Sequence, residues 1–204
     1  GIEVVLAQRH TVPVTQIHLQ FDAGYAADQG HKLGTASFAT TLMNESTKSL
    51  DSVEVSKLKQ RLGAITSIGC GLDTCTASLN ALNDQLKPSL ELFADIVRNP
   101  AFKADDIDRV RGQWLAGIAQ EKTQPTGLAL RTLPPLLYGQ GHAYGIPFTG
   151  TGTEAAIKSL TADDLTGFQH AWLRPDNVKI LVAGDTTLEQ IIPQLDAVFD
   201  DWKA

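Results

Sequence analysis

The fold is limited most by the order along the chain of two kinds of segment. In one kind apolar residues recur every second position, and in the other they recur at helical spacing. In Val14–Phe21, polar side chains alternate with apolar ones: Gln16, His18 and Gln20 against Ile17, Leu19 and Phe21. This period of two predicts a strand with one apolar face. Four further runs have strand character, and turn residues lie beside them: residues 2–8, 65–70, 74–81 and 178–183. The second and third of these predict a hairpin.

Segments with apolar residues at helical spacing lie between these strands. One of them has a capped start, at which Asp51 or Ser52 can accept from the first-turn amides. In another, Pro134-Pro135 is expected to kink or end the helix. A glycine-rich connector follows it, over residues 136–152. The predicted helices span residues 35–44, 52–62, 83–98, 104–122, 126–137, about 162–172 and 188–202.

This order of elements predicts an α+β fold. We expect a mostly antiparallel sheet of about five or six strands, with helices packed on one face. The sequence contains no linker, internal repeat or low-complexity stretch, so residues 1–204 are interpreted as one domain. Because the sequence opens in mid-pattern with Gly1-Ile2-Glu3, we expect it to be a piece of a longer polypeptide.

Charge and hydropathy argue against two classes of partner. The net charge is −6, and the basic pair Arg109 and Arg111 lies among Asp105, Asp106 and Asp108. Nucleic acids and anionic membranes bind concentrated positive surfaces, so neither is an expected partner. No apolar run approaches the roughly 20 residues of a membrane span. The compartment stays open, with bacterial periplasm and cytoplasm both compatible.

The only two cysteines, Cys70 and Cys75, flank a four-residue turn between two predicted strands. No second cysteine pair accompanies them, which disfavours a zinc ribbon. In an oxidising compartment they can close a cross-strand disulfide. Two buried free thiols are the equally weighted alternative.

Motifs for several kinds of catalysis are absent from the sequence. It contains no HExxH, HxxEH or HxxxH, and its five histidines are scattered at positions 10, 18, 31, 142 and 170. Ser37, Thr40 and Thr41 could only form a hydrolase with a base and an orienting acid, which do not accompany them. Arg131 and Tyr138 have the chemistry to stabilise an oxyanion together, but their place beside two prolines favours a local structural role.

Five strings, in order along the chain, resemble the pitrilysin/insulinase family of zinc metallopeptidases. Residues 34–43, GTASFATTLM, are similar to the helix that carries the inverted zinc motif HxxEH in that family. Asn99-Pro100-Ala101-Phe102 is similar to its mid-domain turn. Residues 137–151 resemble its connector, and residues 160–168 and 174–185 resemble its last helix and strand. The resemblance covers almost the whole chain and implies a mitochondrial-processing-peptidase-like half-domain.

The resemblance also identifies where this chain departs from working family members. Those members have the first His at the position of Ser37, the general-base Glu at Thr40 and the second His at Thr41. Their third ligand, a Glu, falls at Gly117 or its neighbour Ala116. Hydroxyls are poor zinc ligands near neutral pH, and glycine has no ligand atom. We therefore expect neither a tight zinc site nor catalysis in this chain.

The family implies a role for such a domain. Its members pair two halves around a peptide, with zinc in one half and a degenerate motif in the other. The chain is thus expected to be the first domain of the non-catalytic half, forming the chamber wall opposite the active half. Zinc belongs to that active half, and the expected partners are companion domains or a subunit of the same peptidase. Peptide substrate is expected only in the full assembly.

An alternative is a scaffold of the same fold with no proteolytic role, as in respiratory-complex core subunits that resemble this family. In either case a face of the domain should be apolar where neighbours cover it. The last predicted helix is the candidate surface, because it holds more apolar residues than one stripe can bury: Ile191, Ile192, Leu195, Val198, Phe199 and Trp202.

Overall fold

Five strands form one sheet in the computed structural model, which describes residues 1–203. In chain order the strands are β1 Glu3–Gln8, β2 Val14–Phe21, β3 Ile65–Cys70, β4 Cys75–Leu82 and β5 Val178–Gly184. Their order across the sheet is β1-β5-β2-β4-β3. The pairs β5–β2, β2–β4 and β4–β3 are antiparallel, and β1 pairs with β5 in parallel. The expectation of a mostly antiparallel sheet is confirmed.

The central strand β2 sets which face of the sheet is buried. Ile17 lies opposite Leu79 of β4 on one side and Val182 of β5 on the other. All three side chains are buried, whereas Gln16 and Gln20 are exposed. Because strand side chains alternate between faces, this register gives one apolar face and one solvated face.

Eight α-helices lie between or after the strands in residues 1–203. The helix α2 starts with the expected capping box, in which Asp51 and Glu54 each accept from the other's backbone amide. The short α6 was not predicted from the sequence. None of these helices combines the length and apolar character needed to cross a bilayer. Their bounds are α1 Thr35–Met43, α2 Ser52–Leu62, α3 Leu86–Arg98, α4 Ala104–Glu121, α5 Pro125–Tyr138, α6 Glu154–Ser159, α7 Ala162–Trp172 and α8 Leu188–Phe199.

The helices pack on the apolar face of the sheet and share one core with it. Phe38 of α1, Phe93 of α3 and Ile118 of α4 are fully buried in the same cluster as Ile17. Burial of such side chains supplies most of the folding free energy, at about 1.5–3 kcal/mol each. The α+β architecture with helices on one face is therefore confirmed.

Helix α5 runs through Pro134 and Pro135 as far as Tyr138, so the helix does not end at the prolines. A proline lacks the N–H that would bond the carbonyl four residues earlier. The carbonyl of Leu130, which Pro134 leaves without its helical donor, accepts instead from the amide of Phe148 at 2.8 Å. A long-range hydrogen bond thus offsets part of the cost of proline in the helix.

Helix α8 differs from the expectation that it offers an exposed apolar face. Ile191, Leu195 and Phe199 are buried in the core, and Trp202 packs edge-on against Phe21, with ring centroids 6.3 Å apart. The remaining apolar residues, Ile192 and Val198, are partly buried against the same cluster. The large exposed apolar side chains of the fold are instead concentrated on α5.

Candidate functional site

A buried carboxylate holds the start of α1, the helix that resembles the family's zinc-motif helix. Asp28 accepts hydrogen bonds from the amides of Gly34 at 2.9 Å and Ala36 at 3.1 Å. Burial raises the pKa of the Asp28 carboxyl to about 7, because desolvation outweighs these amide donors, which favour the anion. Gly34, with φ of 101°, makes the tight entry into the helix. Sequence reasoning placed Asp28 in a polar loop and missed this role.

The three predicted motif positions lie on α1 in two different environments. Thr40 is fully buried, and its hydroxyl donates to the backbone carbonyls of Ala36 at 2.9 Å and Ser37 at 3.2 Å. Ser37 and Thr41, four residues apart on one helix face, are half-buried. The Thr40 hydroxyl is therefore committed to the helix backbone, while the other two positions border open space.

Gly117, the predicted vacancy for the third ligand, lies on α4. Helix α4 packs on α1 through Trp114 and Phe38, whose rings meet edge to face with centroids 5.5 Å apart. Gly117 is exposed, and a Cβ added there would meet no heavy atom within 4 Å. The fold therefore has room for a side chain at position 117, although the sequence has a glycine there.

The carboxylate nearest to Gly117 along α4, that of Glu121, is held through its Oε2 by residues outside α4. Arg131 donates to it at 2.7 Å, and Thr151 donates to the same oxygen at 2.9 Å. Arg131 also donates to the hydroxyls of Thr149 and Thr151. The Arg131 side chain is only 9% exposed. This polar cluster joins α4, α5 and the connector, and it leaves Glu121 without the freedom of a metal ligand.

The connector after α5 lies directly against the motif helix. Gly150 is buried with φ of 71°, and a Cβ there would lie 2.9 Å from the Tyr25 ring and 3.2 Å from Ser37 Oγ. The Tyr25 hydroxyl donates to the carbonyl of Phe148 at 3.0 Å. Only glycine fits at position 150, so the connector closes one side of Ser37.

The donor set around α1 does not fit zinc. Two hydroxyls on one helix face, a third hydroxyl bound to backbone and a glycine replace the imidazoles and carboxylates that Zn²⁺ requires. Within residues 1–203, no three His, Cys, Asp or Glu side chains form a group able to hold a metal ion. Nothing in the chemistry of these four positions supports a zinc-activated water.

Arg131 and Tyr138 do not form a shared site. Arg131 points into the Glu121 cluster, whereas the Tyr138 ring stacks on His142 with centroids 5.2 Å apart. Tyr144 and Phe148 complete this aromatic group. The local structural role favoured from the sequence fits both residues.

Cys70 and Cys75 lie opposite each other in the β3–β4 ladder and are joined by a disulfide. The turn between them is tied to the connector, since the Tyr144 hydroxyl donates to the Asp73 carboxylate at 2.9 Å. This hydrogen bond, followed by desolvation of Tyr144 and the negative charge of Asp73, raises the pKa of the Tyr144 hydroxyl. The hairpin end and the aromatic group thus form one surface region.

Comparison with protein families gives two matches along the chain. The model described as Insulinase (Peptidase family M16) matches residues 3–145, and the one described as the peptidase M16 inactive domain matches residues 159–204. The first covers well over half of the chain. The resemblance recognised from the five strings is confirmed.

Individual relatives agree with the family match. A curated relative is the "non-peptidase homolog YmxG" of Helicobacter pylori, 22% identical over 96% of this chain and 44% of its own length. The crystal structure of a peptidase M16 inactive domain from Pseudomonas fluorescens is 30% identical, with a TM-score of 0.91 over 97% of this chain and 48% of that one. A protease from Helicobacter pylori gives a TM-score of 0.88 at 23% identity, over 100% of this chain and 48% of its own.

The chain spans about half the length of the relatives it matches. Its fold matches theirs closely, with TM-scores of 0.91 and 0.88. The chain belongs to the insulinase family of peptidases, family M16.

Proposed function

We propose that this chain is a structural domain of a zinc-dependent metalloendopeptidase and forms the chamber wall opposite the catalytic half. One observation carries the proposal: the motif helix α1 keeps its buried anchoring and its packing on α4, while its ligand positions carry hydroxyls and no imidazole. Because the fold is retained while the zinc-ligand residues are missing, we assign the domain a structural role in the assembly. Residues 1–204 act as one domain of that assembly, supported by the single cluster of buried residues drawn from helices and strands throughout the chain.

The proposal requires a companion half that supplies zinc. The periplasmic protease PqqL from Escherichia coli, of which this chain covers 23%, is long enough to include such a companion half, and this supports a partner that is either fused or separate. Zinc and peptide substrate then belong to the complete assembly. The disulfide between Cys70 and Cys75 favours an oxidising compartment, such as the bacterial periplasm, for that assembly.

A scaffold without proteolytic activity is the second candidate. The observation that favours it is the similarity to a relative that is itself named a non-peptidase homolog. Both candidates share the non-catalytic domain, and they differ in whether the complete assembly holds zinc and cleaves peptides.

The experiment is a zinc analysis and a peptide-cleavage assay on the complete, purified gene product or complex that contains this chain. We expect about one zinc ion per assembly, in line with one catalytic site of three protein ligands and an open position, and cleavage that a chelator abolishes. Ser37→Ala and Thr41→Ala, which alter the vacant positions, should leave the cleavage rate unchanged. An assembly without zinc and without cleavage would support the scaffold. Loss of activity in the two alanine variants would show that this chain takes part in catalysis.

A further inference from the structure

Helix α5 presents an apolar face to solvent that no part of residues 1–203 covers. Pro134 is its only buried residue. Leu133, Leu136 and Leu137 follow the i, i+3, i+4 spacing of one helix face, and Leu136 and Leu137 are 80% and 69% exposed. Leu128, Leu130 and Tyr138 are also exposed at the flanks of this face. Contiguous apolar surface of this kind marks an interaction site in soluble proteins.

The same region carries no charge at its surface. Between Lys122 and Glu154 the only charged side chain is Arg131, and that side chain is turned inward to Glu121. The exposed helix α2, by contrast, carries Glu54, Lys57 and Arg61. Depletion of charge around exposed leucines is the pattern of an interface core.

The face is held rigidly although almost none of it is buried. Arg131 ties α5 to Glu121 and to the connector, and the Leu130 carbonyl accepts from the Phe148 amide. These hydrogen bonds hold α5 in position, because few of its side chains are buried in the core. A preorganised apolar face costs a partner little ordering entropy on binding.

We propose that this α5 face (Leu133, Leu136 and Leu137, flanked by Leu128, Leu130 and Tyr138) is the surface on which the companion half of the same peptidase docks. The inference rests on the proposed function. Two observations favour this occupant: the periplasmic protease PqqL from Escherichia coli, of which this chain covers 23%, is long enough to include a companion half, and the connector that holds α5 also lies against Ser37 of the motif helix. A partner that closes over α1 therefore reaches α5 as well.

The test places the photo-cross-linking residue p-benzoylphenylalanine at Leu136, and separately at Leu137, in the complete protein. The matched control is the same residue at Ile65, which is 69% exposed, as Leu137 is, but lies on the edge strand β3. We expect cross-links from positions 136 and 137 to sequences of the companion half, at a yield about tenfold above that from position 65, as expected where an interface core excludes water. Because all three side chains lie at the surface, the substitutions leave the fold intact.

Several outcomes overturn the proposal. They are cross-links to position 136 of a second copy of this chain, cross-links only to added peptide, and equal yields from positions 136 and 65. These results leave the proposed function standing, since it is tested by zinc content and cleavage. Conversely, cross-links to a companion half that holds no zinc would support the docking surface and refute the peptidase role.

Discussion

Arg131 donates a hydrogen bond to the carboxylate of Glu121, with 2.7 Å between Nη1 and Oε2. The pair links the end of α4 to the middle of α5, and two threonine hydroxyls of the connector complete it. Glu121, the carboxylate nearest to Gly117 along α4, thus has a structural role. It holds α5 in place through Arg131.

Removing Arg131 should therefore destabilise the fold. Arg131→Met keeps the bulk of the side chain but leaves Glu121 with a single donor, Thr151. We expect the free energy of unfolding to fall by about 2–4 kcal/mol, as for a largely buried ion pair that loses one partner. Urea unfolding monitored by circular dichroism measures this loss.

The matched control is Arg109→Met, because Arg109 contacts Glu45 at 2.6 Å with 45% of its side chain exposed. An exposed pair contributes at most about 1 kcal/mol. Equal losses in the two variants would contradict the structural role assigned to Arg131.

The buried carboxyl of Asp28 should make stability depend on pH in an unusual direction. Its folded pKa of about 7 lies above its ordinary value of 3.8, so the folded state binds more protons between those values. Its contribution to stability is therefore fully present below about pH 4 and is lost as pH rises through about 7. A shift of this size corresponds to at most about 4 kcal/mol.

The measurement compares wild type with Asp28→Asn by thermal unfolding from pH 4 to pH 8. The amide oxygen of Asn can still accept from the start of α1, although Asn lacks the second acceptor oxygen, and it does not titrate, so the difference in stability between the two proteins should change over this range. Asp164→Asn is the control, and its difference from wild type should stay constant over this range, because desolvation is outweighed by hydrogen bonds from Lys32 and Thr161, which lower the Asp164 pKa from its ordinary 3.8. A pH-independent difference for Asp28→Asn would show that the amide donors keep this carboxyl ionised.

The strands and most helices could be predicted from the sequence because their signals are local. The alternation in Val14–Phe21 matches its burial, and Asp51 with Glu54 forms the predicted capping box. The vacancies on α1 stay a prediction, which rests on the family pattern of the surrounding string. Periodicity and capping depend on neighbours within four residues, which a single sequence displays.

The features that sequence reasoning missed depend on distant partners. Continuation of α5 through Pro134 depends on the amide of Phe148, and the burial of Asp28 depends on how the loop folds onto α1. The expected exposure of α8 was wrong, because Phe199 and its neighbours pack inward. Composition alone does not show which of two apolar helices the core covers.

The disulfide should contribute measurably to stability although its loop is short. Cys70 and Cys75 are five residues apart, and for a loop of this size the loss of unfolded-state entropy corresponds to about 2 kcal/mol. We expect a reducing agent to lower the melting temperature of the wild type. The double variant Cys70→Ser/Cys75→Ser should melt lower and be insensitive to reductant. A wild type that melts at the same temperature with and without reductant would contradict the disulfide.

The last prediction concerns the vacant motif positions. Zinc should leave the melting temperature of the wild type unchanged, and Ser37→His with Thr41→His should behave in the same way. Those two imidazoles lie on one face of α1, but a catalytic zinc site usually requires three protein ligands. Adding Gly117→Glu should complete the set, since a side chain at that position meets open space. At a zinc concentration 100 times the dissociation constant, the triple variant should gain about 2.7 kcal/mol.

Thr40 decides whether such a site could also become catalytic. Thr40→Glu would place a carboxylate at a fully buried position whose hydroxyl now bonds the helix backbone, so we expect it to destabilise the triple variant. Differential scanning calorimetry with zinc or chelator separates zinc binding from this loss of stability. Peptide cleavage by the double variant alone would show that the third ligand lies somewhere other than Gly117. A triple variant indifferent to zinc would show that the connector at Gly150 keeps position 37 from ligating a metal.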